Sequence, residues 1–384
     1  MYRRLAMMAV AAFVASTAAA STWSVQRDGT GDFATIQPAL DAAADGDTIL
    51  IGPGEYTEAT TVRLPGSAYD IRSYADVRCG NLTIIGAGAE ATVIGPTSYL
   101  GNAATGDPAG LSYGGGGTLH ISDIGIRHSY TAFVVGVLYL DRCCLSDNTI
   151  GLWWEPSGPG GWVRDSVFEV TEPIFDPESF EIGYGGLGSG IVLDRCRFES
   201  PGIVRSVQGI ELVECDTRGI AFYGATRSVL RSCRSSAIDV AVSQSVGGGG
   251  LCEIYDCDLS GTFAAVTLSD FAPGSRYVIR RSRLIGGSYA VFWLSYNAGP
   301  CDIQECDLIK GSGPAVLCDP NGPVVTHDMR NNYWGTADEA TLRSWITDHT
   351  DNSSIGATVL YGPFAGQSVP TESTTWGDLK ASFR

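Results

Sequence analysis

Ten segments of this chain are variants of one short pattern. They read LHISDIGI, VLYLDRCCL, GWVRDSVF, IVLDRCRF, IELVECDT, SVLRSCRS, CEIYDCDL, YVIRRSRL, CDIQECDL and VVTHDMRN. Aligned on Ile124, Cys143, Ser166, Cys196, Cys215, Cys233, Cys257, Ser282, Cys306 and Met329, they take nine steps over 205 residues, a mean of about 23. Self-similarity at this period constrains a fold more than any compositional argument, because each unit must bury its apolar face against the next.

Inside the repeat the apolar positions form columns. Three residues before the anchor stand Leu140, Val163, Leu193, Leu212, Leu230, Ile254, Ile279 and Ile303. Two after it stand Leu145, Phe168, Phe198, Leu259, Leu284 and Leu308. Five before it stand Leu138, Ile191, Ile210, Cys252, Tyr277, Cys301 and Val324. Alternation holds on each side of the anchor and slips in phase just before it. Two short strands with a bend between them satisfy that pattern. A further apolar patch about ten residues on, such as Val291-Phe292-Trp293, supplies a third strand. The pattern predicts an all-β chain: a single-stranded right-handed parallel β-helix, a solenoid of about eleven coils of about 23 residues. The residue after the anchor reads Arg197, Asp216, Arg234, Asp258, Arg283, Asp307, Arg330. Stacking coils about 4.8 Å apart would give each charge opposite neighbours above and below. Such a ladder sets register and adds little energy, because exposed ion pairs are weak.

The ends differ from the repeat. Tyr2-Arg3-Arg4, the apolar run Leu5 to Ser16 and Ala18-Ala19-Ala20 make residues 1–20 a signal peptide cleaved near Ala20, and the product secreted, periplasmic or extracellular. No later stretch is long and apolar enough to span a bilayer. Thr35 to Ala44 predicts an amphipathic capping helix for the first coil, and Ala337 to Ile346 a second short helix near the other end, followed by a closing strand over Thr358 to Leu360. The solenoid domain is expected to occupy 21–365. Residues 366–384 read as a linker and a short amphipathic tail carrying Trp376, Leu379, Lys380 and Phe383.

Two segments carry a family resemblance. Val25-x-x-Asp28-Gly29-Thr30-Gly31-Asp32-Phe33-x-Thr35-Ile36-Gln37-x-Ala39-Leu40, followed by Gly46-Asp47-Thr48-Ile49 and Pro53-Gly54-x-Tyr56-x-Glu58, resembles the N-terminal cap of pectin-lyase-like right-handed β-helix proteins. Pectin methylesterases begin in much this way. Asn331-Asn332-Tyr333-Trp334-Gly335-Thr336 is similar to the closing motif of many secreted bacterial β-helix proteins. The resemblance covers about residues 23–365 and implies the fold. It transfers no activity, since fold does not imply function. The Gln-Asp-Thr, Asp-Phe-x-Phe-Gly and Leu-Gly-Arg-Pro-Trp segments of the methylesterases are absent here, as are the Asn-Thr-Asp, Asp-Asp and Gly-His-Gly segments of polygalacturonases and a Trp-x-Asp-His-like segment of pectate lyases.

Charge narrows the partners. Lys+Arg 25 against Asp+Glu 42 gives −17. Such a chain repels nucleic acid, and repels an anionic polysaccharide unless Ca²⁺ bridges the two. The eleven cysteines fall mostly in one inward column, where they act as small buried hydrophobes and are expected to stay reduced. His120, His128, His327 and His349 share no metal-ligand spacing, and each is expected at the surface or in a turn.

In solenoids the loops that vary in length mark the binding face. Here they are WEPSGPGGW, PESFEIGYGGLGSG, LSDFAPGS, LSYNAGPC and CDPNGPV. Counted from their anchors, Trp153 aligns with Asp176 and Glu155 with Glu178 on neighbouring coils. An aromatic ring beside paired carboxylates suits sugar stacking with acid–base or Ca²⁺ chemistry. Glu155, Asp176 and Glu178 are therefore the catalytic candidates. Trp153, Glu155, Asp176, Glu178, Glu181, Asp270, Tyr296, Asn297 and Asp319 are the binding candidates, and Asp176, Glu178 and Glu181 are a candidate Ca²⁺ set. The expected partner is a polysaccharide or cell-surface glycan, and the oligomeric state is left open. The reading this supports is a secreted, non-catalytic β-helix that binds glycan or serves a structural role at the surface. A pectate-lyase-like lyase or a glycoside hydrolase is the alternative, and a periplasmic metal-handling protein the third.

Overall fold

A computed structural model describes residues 19–368, apart from 63–69, 97–107, 157, 159, 171–177, 184–187, 206, 238–239, 247–249, 271–273 and 296–297. Residues 1–18, most of the segment expected to be a signal peptide, and the chain from residue 369 lie outside the described residues.

The chain winds through three long parallel sheets of 14, 11 and 12 strands. One coil shows the path. Val137–Asp141 lies in the first sheet, Cys144–Ser146 in the second and Ile150–Glu155 in the third, and the chain returns to the first at Trp162–Arg164. Among the described residues the exception to parallel pairing is Thr60–Val62 with Ile71–Ser73, which is antiparallel. This is a parallel β-helix. The helix Ile36–Ala42 buries Ile36, Ala39 and Leu40 in the core. Between Ala337 and Ile346 the helix is shorter than the pattern predicts, Glu339–Arg343, because Ile346–Thr347 joins the third sheet. Thr358–Leu360 closes the first sheet on Thr326–Asp328.

The predicted core columns are the observed ladders. Ile121, Leu140, Val163, Leu193, Leu212, Leu230, Ile254, Ile279 and Ile303 pair in unbroken sequence, and all are buried. The phase slip has a definite cause. Asp123, Arg142, Asp165, Arg195, Glu214, Ser232, Asp256, Arg281 and Glu305, each immediately before an anchor, are left-handed, with φ between 47° and 59°. One such residue per coil turns the chain from the first sheet to the second.

The bend leaves backbone groups that the sheets cannot pair, and the anchor column satisfies them. The Cys143 amide donates to Ser166 Oγ at 3.1 Å, the Cys233 amide to Cys257 Sγ at 3.4 Å, and the Cys257 amide to Ser282 Oγ at 3.1 Å. Each Cys or Ser anchor in turn donates to the carbonyl two residues before it, as Cys257 does to Tyr255 at 3.1 Å and Ser282 to Arg280 at 2.8 Å. This explains why Cys and Ser interchange here. The column needs a small side chain that both donates and accepts, more than it needs a hydrophobe.

Two features of the last repeat depart from the sequence alignment. Its left-handed residue is Asn331, with φ 60°, so its anchor is Asn332 and not Met329. Asn332 Oδ1 accepts the Cys306 amide at 2.9 Å, as the other anchors do for their neighbours. The charge ladder therefore runs Arg197, Asp216, Arg234, Asp258, Arg283, Asp307, and the next position is Tyr333. Arg330 instead pairs with Asp328. The same shift removes Val324 from the inner column, where it is 93% exposed, and puts His327 there, 1% exposed. His128, with φ 48°, is buried as well, so two of the four histidines are interior.

None of the eleven cysteines is in a disulfide, and nine of them are buried. Burial pushes the Cys143, Cys252 and Cys306 thiols up to about 12, so almost no thiolate forms near neutral pH. In the native protein at pH 8 a thiol reagent should label at most Cys79 and Cys144, which are half-buried, and should reach the other nine only after denaturation. Mass spectrometry after timed alkylation reads this directly. Rapid native labelling of Cys215 or Cys233 would show that the column is not sealed.

Candidate functional site

The third sheet presents one face to solvent. Along Ile150–Glu155, Leu152 and Trp154 point inward, and Trp154 Nε1 donates to Gly136 O at 2.9 Å. Trp153 points out. Its column reads Phe133, Trp153, Glu181, Ile203 and Ala221 on consecutive coils. The Phe133 and Trp153 rings meet edge to face at 5.9 Å and 67°. Glu181 accepts from Arg205 Nε at 2.7 Å. The Arg205 guanidinium also lies 5.3 Å from the centre of the Tyr223 ring, and Tyr223 is 39% exposed. Tyr130 borders the same patch, where burial, and then the charges of Glu181 and Glu178, raise its pKa.

The patch thus joins an aromatic platform to a fixed carboxylate–guanidinium pair and a second exposed ring. Ring faces bind the C–H face of a sugar, while charged donors and acceptors bind its hydroxyls. Glu181 is held by Arg205, so the two form one fixed ion pair.

The structure redistributes the sequence candidates. Trp153 pairs with Glu181, five residues beyond Asp176 in the chain, because the coil after Ser166 carries its extra residues before the third strand. Glu178 pairs with Ile150, five positions before Glu155 along the same strand. At about 3.3 Å per residue those carboxyls sit on rungs roughly 16 Å apart, which excludes Glu155 and Glu178 as a catalytic pair. Asp319 is a turn residue whose Oδ1 accepts the Asn321 amide at 2.7 Å. Asp270 ends the strand Ala264–Asp270. Asp176, Tyr296 and Asn297 lie outside the described residues. Among the described residues no three His, Cys, Asp or Glu side chains are grouped to hold a metal ion, and no helix is long and apolar enough to cross a membrane.

Counting from the anchor missed Phe133, Tyr130, Arg205 and Tyr223. Aligning the third strands on their own inward residues, Leu152 with Phe180 and Trp154 with Ile182, would have found the register and brought Arg205 beside Glu181.

No family model matches the sequence, and no curated protein matches it. Among solved structures the chain is similar to a rhamnogalacturonan lyase at 11% identity and a TM-score of 0.36, over 91% of this chain and 89% of that one. The parallel β-helix itself is established by the strand pairings of the chain.

Proposed function

We propose that this is a secreted β-helix protein that binds a glycan on the outer face of its third sheet. The observation that carries the reading is the Phe133–Trp153 platform set against the Glu181–Arg205 pair on adjacent coils. The finer architecture belongs to the same reading: right-handed coils, about eleven of them, with the two short helices as caps, a cleaved leader over residues 1–20 and a tail from residue 366 that is dispensable for folding. A second reading, a polysaccharide lyase or glycoside hydrolase, is favoured by two carboxylates on one strand of the same patch, Glu178 and Glu181, with Tyr130 beside them.

Native gel electrophoresis through embedded polysaccharides tests binding. The panel is galactan, arabinoxylan, a mixed-linkage β-glucan, and polygalacturonate with and without Ca²⁺. At least one should retard the protein, and Trp153→Ala and Arg205→Ala should each weaken that retardation about tenfold, the equivalent of 1.4 kcal/mol. If no member of the panel is bound, the glycan reading fails. Release of unsaturated or reducing ends from the bound polymer, lost in Glu178→Gln and Glu181→Gln, would favour the enzyme over the binding protein.

A further inference from the structure

Three more rings stand on the outer surface nearer the C-terminal end. Phe263 and Tyr289 occupy the same turn on adjacent coils, and their rings stack at 4.5 Å with 9° between planes. Trp293, on the third sheet, meets Tyr289 at 5.1 Å and Phe263 at 6.1 Å, edge-on to both. All three residues are half-buried. Beside Trp293 in the outward column is Thr267, 9% exposed, whose hydroxyl has no hydrogen-bond partner among the described residues. A hydroxyl left unpaired against an aromatic cluster is costly unless something supplies its partner.

Trp293 stands in the same outward column as Trp153, six pairings along it through Glu181, Ile203, Ala221, Ser243 and Thr267. At about 4.8 Å per coil the two tryptophans are about 29 Å apart on one straight face. We propose that Phe263, Tyr289 and Trp293 form a second sugar-stacking site, so that one extended polysaccharide chain lying along the stacking direction is held at both ends of this face. The inference rests on the glycan reading above. The ligand is a neutral polysaccharide: the net charge of −17 opposes a polyanion, and the guanidinium of the first site, Arg205, is already paired with Glu181.

Two sites on one rigid face bind a spanning polymer far more tightly than a short oligomer, because the second contact is intramolecular. Gains of about 10² or more are usual when the geometry permits both contacts. Calorimetry with the neutral polysaccharide retained in the gel panel, and with its size-fractionated oligomers, tests this on the wild type, Trp153→Ala, Trp293→Ala and Tyr289→Ser. Far-UV circular dichroism confirms folding of each variant, and Tyr289→Ser keeps the test available if Trp293→Ala misfolds. Short oligomers should bind the wild type at two sites, and each variant at one. The polymer should lose at least tenfold affinity in every variant. If the wild type binds one short oligomer, Trp153→Ala abolishes that binding and Trp293→Ala and Tyr289→Ser stay within twofold of wild type, the second site is wrong while the first stands. If the gel panel retains polygalacturonate alone, this inference fails while the glycan reading stands; if it retains nothing, both fall together.

Discussion

Asn332→Ala should cost this protein several kcal/mol. The side chain is fully buried and serves three backbone groups. Oδ1 accepts from the Cys306 amide at 2.9 Å, and Nδ2 donates to Ile303 O at 2.7 Å and Met329 O at 2.8 Å. Truncation leaves all three buried and unpaired, at about 1–3 kcal/mol each. Relaxation recovers part of this, so a loss of about 3–5 kcal/mol is expected in denaturant unfolding. Ser282→Ala removes one donor and one acceptor from the same column and should cost less, about 1–3 kcal/mol. Ser282→Cys keeps both roles and should cost least. A loss under about 1 kcal/mol for Asn332→Ala would show that the anchor column is packing alone, contrary to the polar ladder described here. The same geometry gives the closing motif a structural meaning. Asn331 turns the last coil, Asn332 pairs the bend, Tyr333 bridges to Asp307 and Trp334 is buried.

Stability should also fall as the solution is acidified from about pH 6.5 to pH 4, and His327 should carry a separable share of the loss. Burial in the inner column brings its pKa down to about 4, against the opposing pull of Asp348. The unfolded chain, with a His pKa near 6.5, binds a proton over this interval that the folded chain does not. The contribution is therefore whole above pH 6.5 and is lost as pH falls towards 4, amounting to about 3 kcal/mol. Unfolding free energies of wild type and His327→Gln, measured from pH 7 to pH 4.5, isolate it from the carboxylates that also titrate. The difference between the two should change by most of that amount. A constant difference would mean that His327 is solvated or protonated in the folded state.

How far the chain could be read in advance follows from where information repeats. The columns from Leu140 to Ile303 were legible because each coil restates the same inward positions, so an error in one coil is corrected by its neighbours. The alternation Arg197 to Asp307 was legible for the same reason. The last repeat was misaligned by three residues because it stands alone at one end, with no following coil to show that Asn332 takes the place of Cys306. The candidate site suffered likewise. Third strands lie at variable distances from the anchor, so counting through the long coil placed Trp153 beside Asp176 instead of Glu181.

The sequence by itself determined the parallel β-helix, the inward columns and the face on which charges alternate. Those depend on local periodicity, and periodicity survives in one dimension. It also showed which coil is longest and that aromatic and acidic residues gather near it. Only the tertiary structure decided which of those residues meet. Phe133, Trp153, Glu181 and Arg205 come from four coils, and their contact depends on rungs 4.8 Å apart, while a loop insertion of a few residues shifts every side chain after it along the sheet. The pairing of Leu152 with Phe180 absorbs that insertion, because an inward face tolerates no other register. Burial of the core thereby sets the neighbours on the outer face, where the site lies.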